Sequence, residues 1–288
     1  MLPIGAGAGS ASRQTQQVTR VFDRLNETSV KLATLKRINR GSDDPAALVA
    51  ATELNRELTA LEEASAATER TRALVHVADS GLGQASDLLN EIEGNVIAAA
   101  NGATSPDERA ARQIEIDAAI DALDRIGVNT KFAGKRVFTG EPAIVLSGPN
   151  PGDTRSLELP ELASTALGGS SASLADIRSG GAASVASGKS ESAVEIIGGA
   201  RQQILSARAK LGAYERNSID TAQRLFEDTG VNLSASLSRI ADADVASESA
   251  NLVQAMTLAD SAVATARLTV ATHRASANLF SELLKAVS

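Results

Sequence analysis

Apolar residues recur at helical spacing through two long stretches of the chain, from about Val18 to Gly127 and from about Ala193 to Leu284. In the first, Val18, Val21, Leu25, Leu32 and Leu35 follow one another at steps of three, four and seven, as a coiled-coil seam requires. That pattern stops at Asn39-Arg40-Gly41. Ser42-Asp43-Asp44-Pro45 then restarts it with an acidic or hydroxyl cap and a proline at the first helical position, where the missing N–H has no helical partner to lose. Leu54, Leu58, Leu61 and Val75 carry the second helix to about Ser80. Gly81 and Gly83 weaken it, but Leu88, Leu89, Ile92, Val96 and Ile97 continue the stripe to Asn101-Gly102, a stop signal. Ser105-Pro106-Asp107-Glu108 opens a third helix through Ile116, Ile120 and Leu123, which ends near Gly127.

The middle changes character. Thr130 to Gly140, Ala143 to Leu146 and Ser156 to Leu159 predict short extended pieces in one or two hairpins. Residues 168–190 are rich in Gly, Ser and Ala and predict a surface loop with a brief helical turn. The helical period returns through Ile196, Ile197, Ile204, Leu211, Leu225, Leu233, Leu237 and Ile240, then Leu252, Met256 and Val263, to Leu283 and Leu284. Residues 1–12 are small and Gly-rich and predict a disordered opening. The fold class expected is therefore mainly α: a long antiparallel coiled coil or bundle made by the N- and C-terminal segments, with a small β-hairpin region between them. Long terminal stripes of this kind need each other, or neighbouring copies, to be buried.

Composition narrows the function classes. Aromatic residues are 2% of the 288, and Ala fills many apolar positions, which suits closely packed helices better than a broad pocket. A formal charge of -7 opposes binding to nucleic acid phosphates. The chain has no Cys, so disulfides, thiolate metal sites and Cys nucleophiles are excluded. The opening, Met1 to Ser10, lacks the basic and apolar regions of a secretory signal peptide, and no stretch has the roughly 18 uninterrupted apolar residues of a membrane span.

No catalytic set emerges. Gly188-Lys189-Ser190 has Ala183 where a phosphate-binding loop needs Gly, and no buried strand precedes it. His76 and His273 fall on separate helices without sequence partners, which suggests surface or interface side chains rather than a metal site. The acid pairs Glu62-Glu63, Asp43-Asp44 and Asp242 with Asp244 suit solvation or helix capping. The sequons at Asn26 and Asn232 fall inside helical stripes. Neither cofactor nor metal is expected, and no enzyme activity.

Several motifs resemble bacterial flagellins, in the family's order along nearly the whole chain. The first is Leu32 to Leu48, with Arg37, Asn39, Asp43, Asp44 and Pro45. The second runs from Gln113 through Asp124-Arg125-Ile126 to Asn129-Thr130-Lys131-Phe132-Ala133-Gly134, with Gln113, Phe132 and Gly134 as its marks. Arg208 to Tyr214 with Asn217 resembles the start of the family's C-terminal region. Ser238-Arg239-Ile240-Ala241-Asp242-Ala243-Asp244 is the strongest match, through Arg239, Asp242 and Asp244.

The resemblance implies a filament subunit for motility, exported unfolded and folded at the growing tip. It implies an inner coiled-coil domain of residues 1–42 with 251–288, and an outer helical domain of 43–250. Within the latter it places hairpins near 130–165 and the Gly/Ser-rich loop near 168–190. The assembly residues would be Val18, Val21, Leu25, Leu32, Leu35, Leu252, Met256, Val263, Leu283 and Leu284. Residues 139 to 192 leave no room for a large variable outer domain. The implied partners are further copies in a homopolymer, hook-associated and cap proteins, an export chaperone and the secretion apparatus, with neither nucleic acid nor membrane insertion. The implied location is the extracellular flagellum. Three departures stand out: the Gly/Ala opening from Pro3 to Ser10, the ending from Ala277 to Leu284, and Asn90 to Asn95. This last segment is acidic where receptor-recognised relatives are basic, and predicts weak receptor activation. The alternatives are the related hook–filament junction protein and a cytosolic coiled-coil adaptor.

Overall fold

The computed structural model describes residues 5–146, 153–169 and 172–287. Its elements are α1 (Gly5–Thr34), α2 (Pro45–Ala100), α3 (Pro106–Asn129), β1 (Lys131–Phe132), β2 (Lys135–Arg136), β3 (Ala143–Leu146), β4 (Thr154–Leu157), α4 (Ser190–Tyr214), α5 (Asp220–Ala241) and α6 (Val245–Val287). Single 3₁₀ turns cover Leu174–Ile177 and Val185–Ser187, and a π turn, Glu215–Ile219, joins α4 to α5. The strands form two separate antiparallel hairpins, pairing Phe132 with Lys135 and Val145 with Arg155. The chain is thus mainly helical with a small hairpin region, as the periodicity predicts.

The molecule divides into two compact units, residues 1–57 with 232–288 and residues 58–231. In the second unit α2, α3 and α4 surround a core in which Leu82, Leu89, Ile92, Ile116, Ile120, Leu123 and Ile197 are fully buried. The helix starts follow the caps read from sequence. Ser105 accepts from the Glu108 N–H while Glu108 reaches back to the Ser105 N–H, a reciprocal box that satisfies two orphan donors. Asp44 accepts from Ala47 N at 3.0 Å and caps α2. Antiparallel α2 and α4–α5 are joined by polar pairs at successive levels: Glu93 with Arg201, Asp79 with Arg208, Arg72 with Asp220, and Ser65 with Gln223.

The described residues of segment 168–190 include the expected brief helical turns and several exposed positions, but part of the segment is anchored in the core. Leu174, Ile177, Ala183, Ser184 and Val185 are buried. Burial is possible because α3 satisfies its polar groups through a stripe at steps of four, four and three. Gln113 is 2% exposed; its Nε2 donates to Ile177 O at 2.9 Å, and its Oε1 accepts from Ser184 Oγ and Val185 N, each at 2.9 Å. Asp117 accepts from Ser179 N, and Asp121 and Asp124 both pair with Arg178. Asp124 also accepts from Ser164 N and Oγ. A buried polar group without such partners costs roughly 1–3 kcal/mol, so the stripe decides where this Gly/Ser-rich segment can go. Composition suggested solvent; the α3 acids and amide override it.

Two further sequence expectations change. Helix α1 extends back to Gly5, whereas the small residues at the opening predicted disorder; Ala6, Ala8 and Ala11 supply strong helix formers among the glycines. Residues 1–4 lie outside the described ones. On α5, Leu225 is 61% exposed while Phe226 is 4% exposed and packs on Leu61 and Ala64. The π turn adds a residue between Leu211 and this point, so the buried face moves one position on from the uninterrupted 3.6 period.

Helical glycines mark where the middle segment crosses the helices. A Cβ on Gly81 would stand 2.7 Å from the buried Phe138 ring, one on Gly127 would collide with the Leu162 carbonyl, and one on Gly199 would lie 2.8 Å from Gly168 O. Gly81 is therefore a packing requirement, whereas Gly83 faces open space. Urea unfolding should show Gly81→Ala and Gly127→Ala losing roughly 1–3 kcal/mol through overpacking. Gly83→Ala should gain about 0.5–1 kcal/mol, because alanine loses less backbone entropy in a helix. Equal effects at 81 and 83 would contradict the crossing.

Candidate assembly interface

Within the first unit α1 and α6 run antiparallel. Lys31 near the end of α1 feels Glu248 near the start of α6, and Thr15 and Val18 share a groove with Thr269, Val270 and His273 further along. On α1 Val18, Val21, Leu25, Thr28 and Leu32 are half-buried or buried in a heptad alternation of three and four, with Val30 and Lys31 half-buried beside them. On α6 they are Glu248, Leu252, Ala255, Ala259, Ala262, Ala266 and Thr269, in the same alternation, with Val263 half-buried beside them.

The seam on α6 is thus mostly alanine. Alanine lets the two backbones approach closely, and their Cα atoms come within 8 Å along the pair. A consequence follows for the larger side chains. Val253, Met256, Leu258, Leu268, Val270 and Leu279 on α6 and Phe22 on α1 remain exposed. An open apolar groove of about 580 Å³, lined by Val18, Ala266, Val270 and Ala277 with His273 and Arg274 at its edge, lies along the pair.

Five of the sequence-predicted assembly residues, Val18, Val21, Leu25, Leu32 and Leu252, lie on the seam, with Val263 beside it. Met256 does not: it is 50% exposed and points away, because the heptad passes through Ala255 and Ala259. Leu35 is also off the seam. It lies beyond α1, is 57% exposed and takes a φ of 57°. The side chains of Leu283 and Leu284 lie outside the described ones. Sequence reasoning passed over Thr28 and the alanines because it sought large apolar residues; counting three and four onward from Leu25 and Leu252 finds them.

The family-motif residues Arg37, Asn39, Asp43, Asp44, Pro45, Asp242 and Asp244 come together at one double turn. The left-handed Leu35, at a cost of about 1 kcal/mol for a non-glycine, turns its carbonyl to accept from Ala243 N at 3.0 Å. Arg37 N donates to Ala241 O at 2.8 Å, which makes an isolated bridge between Lys36 and Asp242. The Arg37 guanidinium donates to Ile240 O at 2.6 Å, satisfying a carbonyl at the end of α5, and lies 3.8 Å from Asp44. Asn39 Nδ2 donates to Lys36 O. Asp242 accepts from Ser238 Oγ, while Asp244 caps α6 through Ala246 N and Ser247 N. Arg239 is exposed in the last turn of α5, where a cation opposes the negative end of the helix.

Gln113, Phe132 and Gly134 belong to the other unit. Gln113 anchors the buried middle, and Phe132 packs partly on the core. Ala133 and Gly134, with φ of 48° and 81°, make the tight turn between β1 and β2. His76 lies 3.4 Å from Glu215, and His273 Nδ1 lies 2.9 Å from Thr269 O. Among the described residues no group of His, Asp and Glu is placed to hold a metal, and no helix is long and apolar enough to cross a membrane.

Asp43 accepts the N–H groups of Asn39 and Arg40, both at 2.9 Å, and these bonds hold its carboxyl below the usual carboxylate range. The ionised form is favoured in the folded turn. Its contribution is therefore present above the ordinary Asp value of about 3.9 and lost as pH falls through the lower folded value. The amide resonances of Asn39 and Arg40 should shift with a midpoint below about pH 3.9, and Asp43→Asn should abolish that titration. A midpoint above the ordinary value would refute the assignment.

Comparison with known proteins agrees with this geometry. Residues 8–143 match the bacterial flagellin N-terminal helical region and residues 194–272 the bacterial flagellin C-terminal helical region. The flagellar filament 30.7 kDa core protein of Treponema maltophilum is 28% identical over 249 residues, covering 84% of this chain and 87% of that one. Flagellin of Bacillus subtilis is 29% identical over 244 residues, covering 76% and 80%. A solved structure of a putative flagellar hook-associated protein from Vibrio parahaemolyticus shares the fold, with a TM-score of 0.58 at 13% identity, over 69% of this chain and all of that one. The two matched regions contain the α1–α6 seam and the double turn, and on that agreement the chain belongs to the bacterial flagellin family.

Proposed function

We propose that the protein is a structural subunit that polymerises into the bacterial flagellar filament, with the α1–α6 pair as its inner, inter-subunit layer. One observation carries the reading. The alanine seam closes α1 on α6 while leaving large apolar side chains, among them Phe22, Val253, Met256 and Leu268, exposed on the pair. Burying such side chains between copies is worth roughly 1–2 kcal/mol each, which opposes the entropy of ordering two long helices. Folding of the pair is then coupled to docking on neighbours.

In this reading residues 1–42 with 251–288 form the inner layer and 43–250 the outer one, without a large variable domain. Subunits leave the cell unfolded through the flagellar secretion apparatus, accompanied by an export chaperone, and meet cap and hook-associated proteins at the filament ends. The similarity to filament proteins over about four fifths of the chain supports this over the junction-protein alternative. The acidic segment Asn90–Asn95, in which Glu93 and Asn90 are engaged by Arg201, supports weak activation of innate flagellin receptors.

Purified monomer added to sheared filament fragments should elongate them under the electron microscope. Leu268→Glu places a charge on the exposed face and outside the seam. It should leave the monomer's circular dichroism unchanged while slowing elongation at least about tenfold, since ~1.4 kcal/mol per contact suffices. Failure of the parent chain to elongate seeds, with its core folded, would move the assignment to the junction protein.

A further inference from the structure

Asn101 and Gly102 are the only Asn-Gly pair in the chain, and they occupy the exposed link between α2 and α3. The link is ordered by its own hydrogen bonds: Thr104 N donates to Asn101 O and Thr104 Oγ1 to Ala98 O, each at 3.0 Å. Asn101 Oδ1 accepts from Ala103 N at 3.2 Å. That bond folds the side-chain amide forward over the Gly102 peptide and polarises its carbonyl, making Cγ more electrophilic. Gly102 has no Cβ to screen its nitrogen, and the space where one would stand is empty within 4 Å.

We propose that Asn101 is a site of spontaneous deamidation, with the Gly102 backbone nitrogen as nucleophile and water as the only co-reactant. Hydroxide or water removes the Gly102 amide proton. The nitrogen bonds to Asn101 Cγ, the Cγ–Nδ2 bond breaks, and ammonia leaves with the proton returned to it. The five-membered succinimide then adds water at either carbonyl, and the ring C–N bond breaks. The product is aspartate, or isoaspartate with the backbone running through Cγ. One water enters, one ammonia leaves, and nothing is oxidised.

The site gives the modification a structural consequence. The new carboxylate stands at the C-terminal end of α2, where the helix dipole already places partial negative charge. The isoaspartyl form also adds a methylene to the short link that closes the α2–α3 hairpin, and so disturbs the Thr104 bonds to Asn101 and Ala98. The reaction is local to the turn and independent of the filament reading. In a filament it would make this link a chemical clock, recording the age of each copy.

The purified full chain should be incubated in mildly alkaline buffer and followed by peptide mass spectrometry and by labelling with an isoaspartyl methyltransferase. Conversion should be confined at first to the peptide containing residue 101. Gly102→Ala, which meets open space and an ordinary φ, should slow it about tenfold, equal to ~1.4 kcal/mol on the barrier. Conversion in the folded chain should be at least as fast as in a synthetic peptide of residues 96–107. Persistence of the Asn101 amide, equal conversion at other asparagines, indifference to Gly102→Ala, or much faster reaction in the peptide would each overturn the proposal.

Discussion

The close approach of α1 and α6 along an alanine seam is the constraint on which the terminal unit depends. Large side chains on α1 meet small ones on α6, so the helices lie near each other and the contact strip between them is narrow. A narrow strip cannot cover the apolar residues that a 43-residue helix carries. Leu268, Val270 and Leu279 are left facing outward, and the pair presents a second apolar surface after its first is used. For an isolated domain this would be a liability. For the polymer subunit proposed above, it would couple ordering of the ends to docking on neighbours.

The double turn at 35–44 and 242–244 has a different role. Here α1 gives way to α2 and α5 to α6, and two helix ends and two helix starts need partners for their orphan backbone groups. Main-chain bonds from Ala243 to Leu35 and from Arg37 to Ala241 tie the two connections together. Arg37 closes the end of α5, while Asp44 and Asp244 cap α2 and α6. Residues far apart in sequence thus do capping work at one place, which gives them a structural reason to recur as a motif. The left-handed Leu35 is the strained position that lets its carbonyl reach across.

In the other unit the unusual feature is how a polar, glycine-rich segment becomes interior. Hydrophobic insertion by Leu174, Ile177 and Val185 supplies the drive, and the α3 stripe of Gln113, Asp117, Asp121 and Asp124 removes the polar penalty. Glycines 81, 127 and 199 remove the steric one. The three effects are mutually dependent: without the glycines the backbone cannot come close enough for the hydrogen bonds to form.

The sequence by itself determined the helices, their caps and the hairpins, because these depend on neighbours within a few residues: Ser105 with Glu108, Asp44 with Ala47, Ala133 with Gly134. It also contained the family motifs in order. Tertiary structure alone decided which residues those helices bury. Met256 was as good a seam candidate as Ala255 until α1 lay against α6, since an apolar side chain satisfies a periodic pattern from either side of a narrow strip. Leu225 lost its place to Phe226 because one extra residue in the π turn rotates everything after it. Segment 168–190 reads as solvent-exposed from composition, yet the burial of Ile177 and Ser184 within it was settled by a partner more than 60 positions away, Gln113. Burial is a property of pairs of surfaces, and a single sequence states only one member of each pair.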